Sequence, residues 1–354
     1  MKKILLLLLI SFLVLSIAVG CGGEDELQNN EGSEEVDEDV AGENEEEGDK
    51  ELTKIIVAEL RSEFWIQAYL ADTLGYFEEE GLEVEFTTTT DGPVAFQAMH
   101  AGSSQFTMLS TEPVFRAQDQ GLESTILLST LQNKPYMLIG AEEIESVEDL
   151  KGETIFAGMP GSAPYSFAVA ILEKHGMTEE DVEWAQMDYG ASLGALENGH
   201  VAAIYLRSTA KDEAAAINAN ILVDVSDSEQ HNEIYGTSRY ESSIIVGTKE
   251  YVENNPDEVQ AFVNGIVKAM AWLEEASDEE VVEVASEHFQ GRGITPEQIG
   301  YLRPSLNPDG MITEAGHETI VAFSMEEGII EQEIPFEEVY DLSFLKNAVE
   351  NILE

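Results

Sequence analysis

The chain has 354 residues, 17 of them basic and 71 acidic, for a formal net charge of -54. A surface of that sign repels phosphate backbones and excludes nucleic acid as a partner. Hydrophobic residues make up 43% and aromatics 8%, enough to bury cores in two domains, so the acidity belongs to a folded protein. The single cysteine, Cys21, excludes a disulfide framework and a multi-thiolate metal centre.

Lys2 and Lys3 precede an apolar run from Ile4 to Val19, which reads as an export signal over 1–20 because it is short for a permanent span. Ala18-Val19-Gly20-Cys21 is similar to a bacterial lipoprotein box, with Ala18 where Leu is preferred. That resemblance implies a diacylglycerol on the Cys21 thiol and a membrane anchor. Residues 21–51 then form an acidic, self-repelling linker, with 15 acids against Lys50 alone between Gly22 and Glu51. Its acids have no fixed ligand spacing that would make a calcium loop. From Leu52 onward there are 56 acids and 14 bases, net -42, a charge density that suggests a saline or alkaline habitat.

Beyond the linker, strand and helix patterns alternate. Strands are expected at 54–59, 82–87, 106–109, 125–129 and 136–140, with helices at 64–80, 94–101 and 113–120, as one parallel sheet with covering helices. Ser146 and Asp149 are placed to form a capping box. The alternation restarts with strands at 153–157, 182–187, 201–206 and 221–225 and helices at 163–174, 192–198 and 209–219, predicting a second, smaller sheet. One more apolar strand spans 243–248, and everything after it reads as helical. The best of these helices has Asn255 as N-cap, Pro256 in its first turn and one apolar face from Val259 to Leu273. Thr295 and Gln298 frame another capped start. Crossings near 136–140 and 243–248 make a hinge of two crossing strands between lobe 1 (52–140 plus 245–354) and lobe 2 (141–244).

Several segments resemble one family. Ala71-Asp72-Thr73-Leu74-Gly75-Tyr76-Phe77-Glu78-Glu79-Glu80-Gly81-Leu82-Glu83-Val84 is similar to the opening segment of the bacterial extracytoplasmic solute-binding proteins of the nitrate, sulfonate, taurine and thiamine-precursor (NMT1/THI5-like) type. Ala98 to Phe106 resembles their next strand entry, with Gln105 for the usual acid, and Val147 to Ile155 resembles a further passage, with Glu153 for the common Lys. Gly161-Ser162 followed by a helix resembles the ligand loop of the second lobe. The resemblance implies an α/β, two-lobed periplasmic-binding-protein-like fold with parallel-rich sheets flanked by helices. It also implies a small organic solute, sulfonate-like or a thiamine-precursor-like heterocycle, passed to an ABC importer permease and its ATPase.

Independently of the family, open parallel sheets bind ligands beyond the carboxyl ends of their strands, where helix N-termini present free amides. The candidates at those ends are Arg61, Ser62, Phe64 and Trp65 after the first strand, and Ser110 and Thr111 after the third. Tyr136, Gly161, Ser162, Tyr165, Tyr189 and Arg207 complete the set. Ser162, Ser192 and Ser208 each precede an expected helix, so each is an N-cap, a ligand donor, or both. The aromatics offer flat faces for stacking or simply pack the hinge. Arg207 either clamps a carboxylate or sulfonate, or neutralises Glu112 or Asp188.

Enzyme readings have less to stand on. The histidines at 100, 175, 200, 231, 288 and 317 are scattered, with no His-x-x-x-His pair, and no phosphate-loop Gly-Lys-Ser/Thr occurs. Carboxylate pairs are too numerous in this chain to be informative. A pyrimidine-synthesising relative of the same fold would need a cysteine-rich motif. The expected protein is therefore a lipid-anchored, extracytoplasmic, monomeric receptor with no cofactor, no metal and no turnover. The alternatives are a sensor or adhesion protein on the same scaffold and, behind these, a hydrolase.

Overall fold

The computed structural model describes residues 52–353 apart from 238, 242 and 292. The expected signal segment, Cys21 and the linker to 51 lie outside the described residues.

Among the described residues, ten strands form two five-stranded sheets. The first has the order β2 (Leu82–Thr88), β1 (Thr53–Glu59), β3 (Phe106–Ser110), β10 (Ser243–Thr248), β4 (Ser124–Ser129). The second has the order β7 (Glu183–Trp184), β6 (Thr154–Phe156), β8 (Ala203–Arg207), β5 (Tyr136–Gly140), β9 (Asn220–Asp224). β1 runs parallel to β2 and β3, and β6 runs parallel to β7 and β8. β10 and β5 are the antiparallel members, each inserted beside the parallel trio of its sheet. The sheets are thus mixed, and both antiparallel strands directly follow a crossing from the other sheet.

β5 corrects one expectation. Tyr136–Gly140 was expected to close the first sheet, but it pairs with β8 from Tyr136 opposite Arg207 to Gly140 opposite Ala203. All five of its residues are buried. A continuous apolar run identifies a strand covered on both faces without specifying which sheet it joins. The crossings therefore fall in the connecting segments 130–135 and 236–242 rather than in strands. They run side by side: the Thr130 amide donates to Ser243 O at 2.8 Å and the Tyr240 amide to Gln132 O at 2.9 Å.

The expected long helix over 64–80 is three pieces: a 3-10 turn Glu63–Trp65, then helices Ile66–Thr73 and Tyr76–Glu79. Gly75, at φ 78°, breaks the last two apart in a left-handed conformation that costs glycine little. Helix Pro256–Glu275 buries the anticipated face, and Phe262 stacks on Phe106 and Phe77 at 4.4 and 5.1 Å. Gly265 allows that approach, since a Cβ there would stand 2.6 Å from the Phe77 ring. Asn255 stands at the expected N-cap position, but its side chain makes no capping bond; its side-chain amide donates to Tyr251 O of the preceding helix instead. The boxes at Ser146/Asp149 and Thr295/Gln298 are formed. After β10 the described residues hold helices and turns but no further strand.

Candidate functional site

A cavity of about 510 Å³ lies between the two sheets, at the carboxyl ends of their parallel strands. Residues after β1 and at the end of β3 form one wall; the 162–164 turn, the start of helix Tyr189–Glu197 and the end of β8 form the other. Nine of the twelve sequence candidates line it: Arg61, Ser62, Phe64, Trp65, Ser110, Tyr136, Ser162, Tyr189 and Arg207.

The aromatic side chains brace one another. Phe64 stacks on Tyr136 with centroids 6.0 Å apart and planes 16° apart. Tyr205 packs edge-on against Tyr136 and Tyr189 at 4.9 and 5.9 Å. Tyr136 meets Ser110 hydroxyl to hydroxyl at 3.3 Å across the cleft, and burial pushes its phenol well above the usual range. Trp65 is only 2% exposed, and its indole N–H donates to Ile244 O of β10 at 3.1 Å. It is a wall fixed to the first sheet more than a free stacking platform.

Charged groups close the cleft from both sides. Arg207 reaches Glu63 Oε2 at 3.1 Å, and the Thr209 hydroxyl donates to the other oxygen of the same carboxylate. The expected partners Glu112 and Asp188 are not the ones found; Glu112 is buried against Lys134 instead. Asp91 caps helix Gly92–His100 by accepting from the Gly92 amide at 2.7 Å. Its second oxygen accepts from the Met159 amide at 3.0 Å and the Tyr189 hydroxyl at 3.4 Å, both on the far wall. Burial raises the Asp91 carboxyl, and these donors hold it back down. Gly158 is required beside this contact: it sits at φ 82°, and a Cβ would fall 2.0 Å from the Tyr189 hydroxyl. Arg61 is exposed at φ 45°, an uncommon conformation for a side-chain-bearing residue, and its guanidinium donates to Thr88 at 3.0 Å.

Three candidates lie elsewhere. Thr111 is fully buried in the first turn of helix Thr111–Asp119. Gly161 backs onto the Arg116 side chain. Tyr165 turns outward, donating to Glu179 and packing on Trp184 at 4.4 Å. Of the three serines, Ser162 is a cap, accepting from the Tyr165 amide at 3.4 Å. Ser192 and Ser208 are not: their helices begin earlier than expected, at Tyr189 and at Ser208 itself, so each serine lies inside its helix, bonding Tyr189 O and Asp224 respectively.

Sequence reasoning missed two features. Asp91-Gly92-Pro93 carries the signature of a capped start with proline in the first turn, which places Asp91 at a helix N-terminus facing the cleft. Gly190-Ala191-Ser192-Leu193-Gly194 has the spacing of a hydrolase nucleophile elbow. That elbow needs a sharp strand-to-helix turn, whereas Ser192 lies within helix Tyr189–Glu197, and its hydroxyl donates to Tyr189 O at 2.7 Å. Among the described residues no histidine hydrogen-bonds it.

Comparison with known proteins agrees with this geometry. The NMT1/THI5-like family profile matches residues 65–280. The chain belongs to the NMT1/THI5-like family. It is 25% identical over 283 residues to a putative aliphatic sulfonates-binding protein of Bacillus subtilis, covering 77% of this chain and 81% of that one. It is 26% identical over 221 residues to the formylaminopyrimidine-binding protein of Halalkalibacterium halodurans, covering 60% and 63%. Among solved structures, the alkanesulfonate-binding protein SsuA of Xanthomonas axonopodis pv. citri, bound to MOPS, superposes with a TM-score of 0.65 at 15% identity, over 82% of this chain and 99% of that one. The desulfurization enzyme DSZB has the same fold, at a TM-score of 0.61 and 15% identity over 84% and 99%. The fold of this NMT1/THI5-like chain is that of the periplasmic binding proteins.

Proposed function

We propose that this chain is the solute-binding receptor of an ABC importer, closing two lobes on a flat, organic, non-acidic solute such as a substituted heterocycle. The lobes follow the sheets: residues 52 to about 131 with the chain from β10 onward, and 136 to about 235 between them. One observation carries the choice of ligand class. Arg207, the cation best placed to clamp a sulfonate, is already held by Glu63, while Phe64, Tyr136, Tyr189 and Tyr205 supply the apolar surface of the cavity. Drawing Arg207 away from Glu63 would break an ion pair whose carboxylate is buried at 2% exposure, a cost an incoming anion would have to offset. Both ligand classes are named among relatives, one binding a formylaminopyrimidine and one binding sulfonates.

The permease and its ATPase are the proposed partners, the receptor acts as a monomer outside the cytoplasm, and a lipid on Cys21 tethers it. None of this requires turnover, so solute released from the protein should have the mass it had on binding. A thermal-shift panel of formylated aminopyrimidines, riboflavin, taurine, alkanesulfonates and nitrate tests the reading. Heterocycles should raise the melting temperature, the stabilisation reaching about 2.7 kcal/mol at a hundredfold excess over Kd. A shift with sulfonates or nitrate alone would contradict it.

A further inference from the structure

Outside the cleft, on the first sheet, Asp72, Glu287 and His288 bring three ligand atoms within 4.8 Å of one another. Asp72 lies at the end of helix Ile66–Thr73, and the other two lie on the 3-10 turn Ser286–Phe289, so the cluster joins segments far apart in the chain. His288 Nε2 stands 3.2 Å from Asp72 Oδ2 and 3.8 Å from Glu287 Oε1. Ligands about 2.0–2.1 Å from a tetrahedral zinc ion stand about 3.4 Å apart, so these separations leave room for an ion at the centre. The imidazole is held in orientation: it stacks on Tyr69 at 5.0 Å and 21° and meets the edge of Phe86 at 5.4 Å. Thr73 Oγ lies 2.9 Å from Glu287 Oε1 and 3.2 Å from His288 Nε2, against the same atoms that would ligate an ion, so metal binding would turn this hydroxyl away.

The same three residues open onto a second cavity of about 480 Å³, whose walls add Glu59, Glu83 and Glu85 against Arg61. Among the described residues of that lining, carboxylates outnumber cations even with Glu85 paired to Lys54, which favours cations at the opening. Three protein ligands of one imidazole and two carboxylates, with a position open to solvent, are the donor set of a zinc-type site. We propose that Asp72, Glu287 and His288 bind one divalent zinc ion, with the fourth position facing this cavity. The ion would tie the turn at 286–289 to helix Ile66–Thr73 and would leave the solute cleft unobstructed. No spacing in the sequence announces it, because the ligands come from two distant segments.

A protonated His288 paired with the two acids would show the same heavy-atom geometry, so the test must separate ion pair from metal. The full chain, stripped with a chelator, is titrated with ZnCl2 by calorimetry at pH 7.5. Cobalt(II) is used as an optical probe of coordination. Wild type should bind one ion and, with cobalt, show visible bands of a four- or five-coordinate site. Asp72→Asn and His288→Ala should each weaken that binding at least tenfold. If His288→Ala fails to fold, Asp72→Asn carries the test. Absence of a one-to-one event, or equal binding by wild type and Asp72→Asn, would assign the cations to the acidic linker or general surface and overturn the proposal.

Discussion

Asp91 uses one carboxylate to join three groups: the amide that begins its own helix and, across the cleft, the Met159 amide and the Tyr189 hydroxyl. If the two lobes close on a solute as proposed, these contacts to the far wall would form only in the closed state, and Asp91 would favour it over the open one. In Asp91→Asn the side chain retains an acceptor for Gly92, but an N–H replaces the oxygen that faces two donors. A mismatched buried pair costs about 1–3 kcal/mol, so solute affinity should fall about tenfold or more. Calorimetry on the variant checks this; unchanged affinity would mean that the Asp91 bridge does not bear on closure. Arg207 and Glu63 form a second crossing pair, with the carboxylate far more buried than the guanidinium. The sequence showed Arg207 at a strand end but could not show its partner, because ion pairing across a cleft depends on how two sheets are set together. The aromatic cluster was legible as a group, since strand ends are visible in the pattern. Tyr165 misled because its place three residues beyond the cap turns it to the outer face.

At the scale of elements, the crossings decide how the lobes connect. Lys134 lies in the 130–135 crossing, 1% exposed, bonded to Glu112 and set over the Tyr240 ring at 4.6 Å and the Tyr136 ring at 5.2 Å. Burial lowers the lysine while Glu112 opposes the shift. Lys134→Met would leave Glu112 buried with, among the described residues, only the Tyr240 hydroxyl hydrogen-bonded to it, at 3.4 Å. Breaking such a pair from one side costs about 3–5 kcal/mol, while replacing both partners with apolar groups can recover most of that. Urea denaturation should therefore find Lys134→Met strongly destabilised and the double variant with Glu112→Leu largely restored. A loss below 1 kcal/mol in the single variant would contradict the role given to the pair. Most elements were legible from periodicity and caps, including both capping boxes and the long helix at 256–275. The sheet assignment of β5 was not, because an apolar run of five buried residues carries no information on which edge it joins. The break at Gly75 was also hidden, since apolar spacing continues through it.

For the whole molecule, a net charge of -42 beyond residue 51 opposes compaction, and salt should raise the melting temperature by screening it. A local case is sharper. Glu327, half-buried beside Glu173 and Glu326 with Lys174 nearby, has its carboxyl pushed up to about 8, mainly by burial. Its folded form holds a proton that the unfolded chain releases, so this contribution to stability is present below the ordinary carboxylate range and is lost as pH rises towards 8. Glu327→Gln should then gain stability over wild type at pH 9 and none at pH 5, measured by thermal melts. His231 acts the other way: burial lowers it to about 4, so its contribution is present above the unfolded value of about 6.5 and lost as pH falls towards 4. A gain for the glutamine variant equal at both pH values would contradict the shift.

The central claim is that the cleft takes a flat heterocycle on an aromatic wall and not an anion on Arg207. Calorimetry of wild type and Arg207→Ala against a formylated aminopyrimidine and an alkanesulfonate tests it most directly. One-to-one heterocycle binding that survives Arg207→Ala within about threefold, with the sulfonate weak in both proteins, is the result expected if stacking, worth about 1–3 kcal/mol per ring, carries the affinity. Tight sulfonate binding that Arg207→Ala abolishes would contradict it.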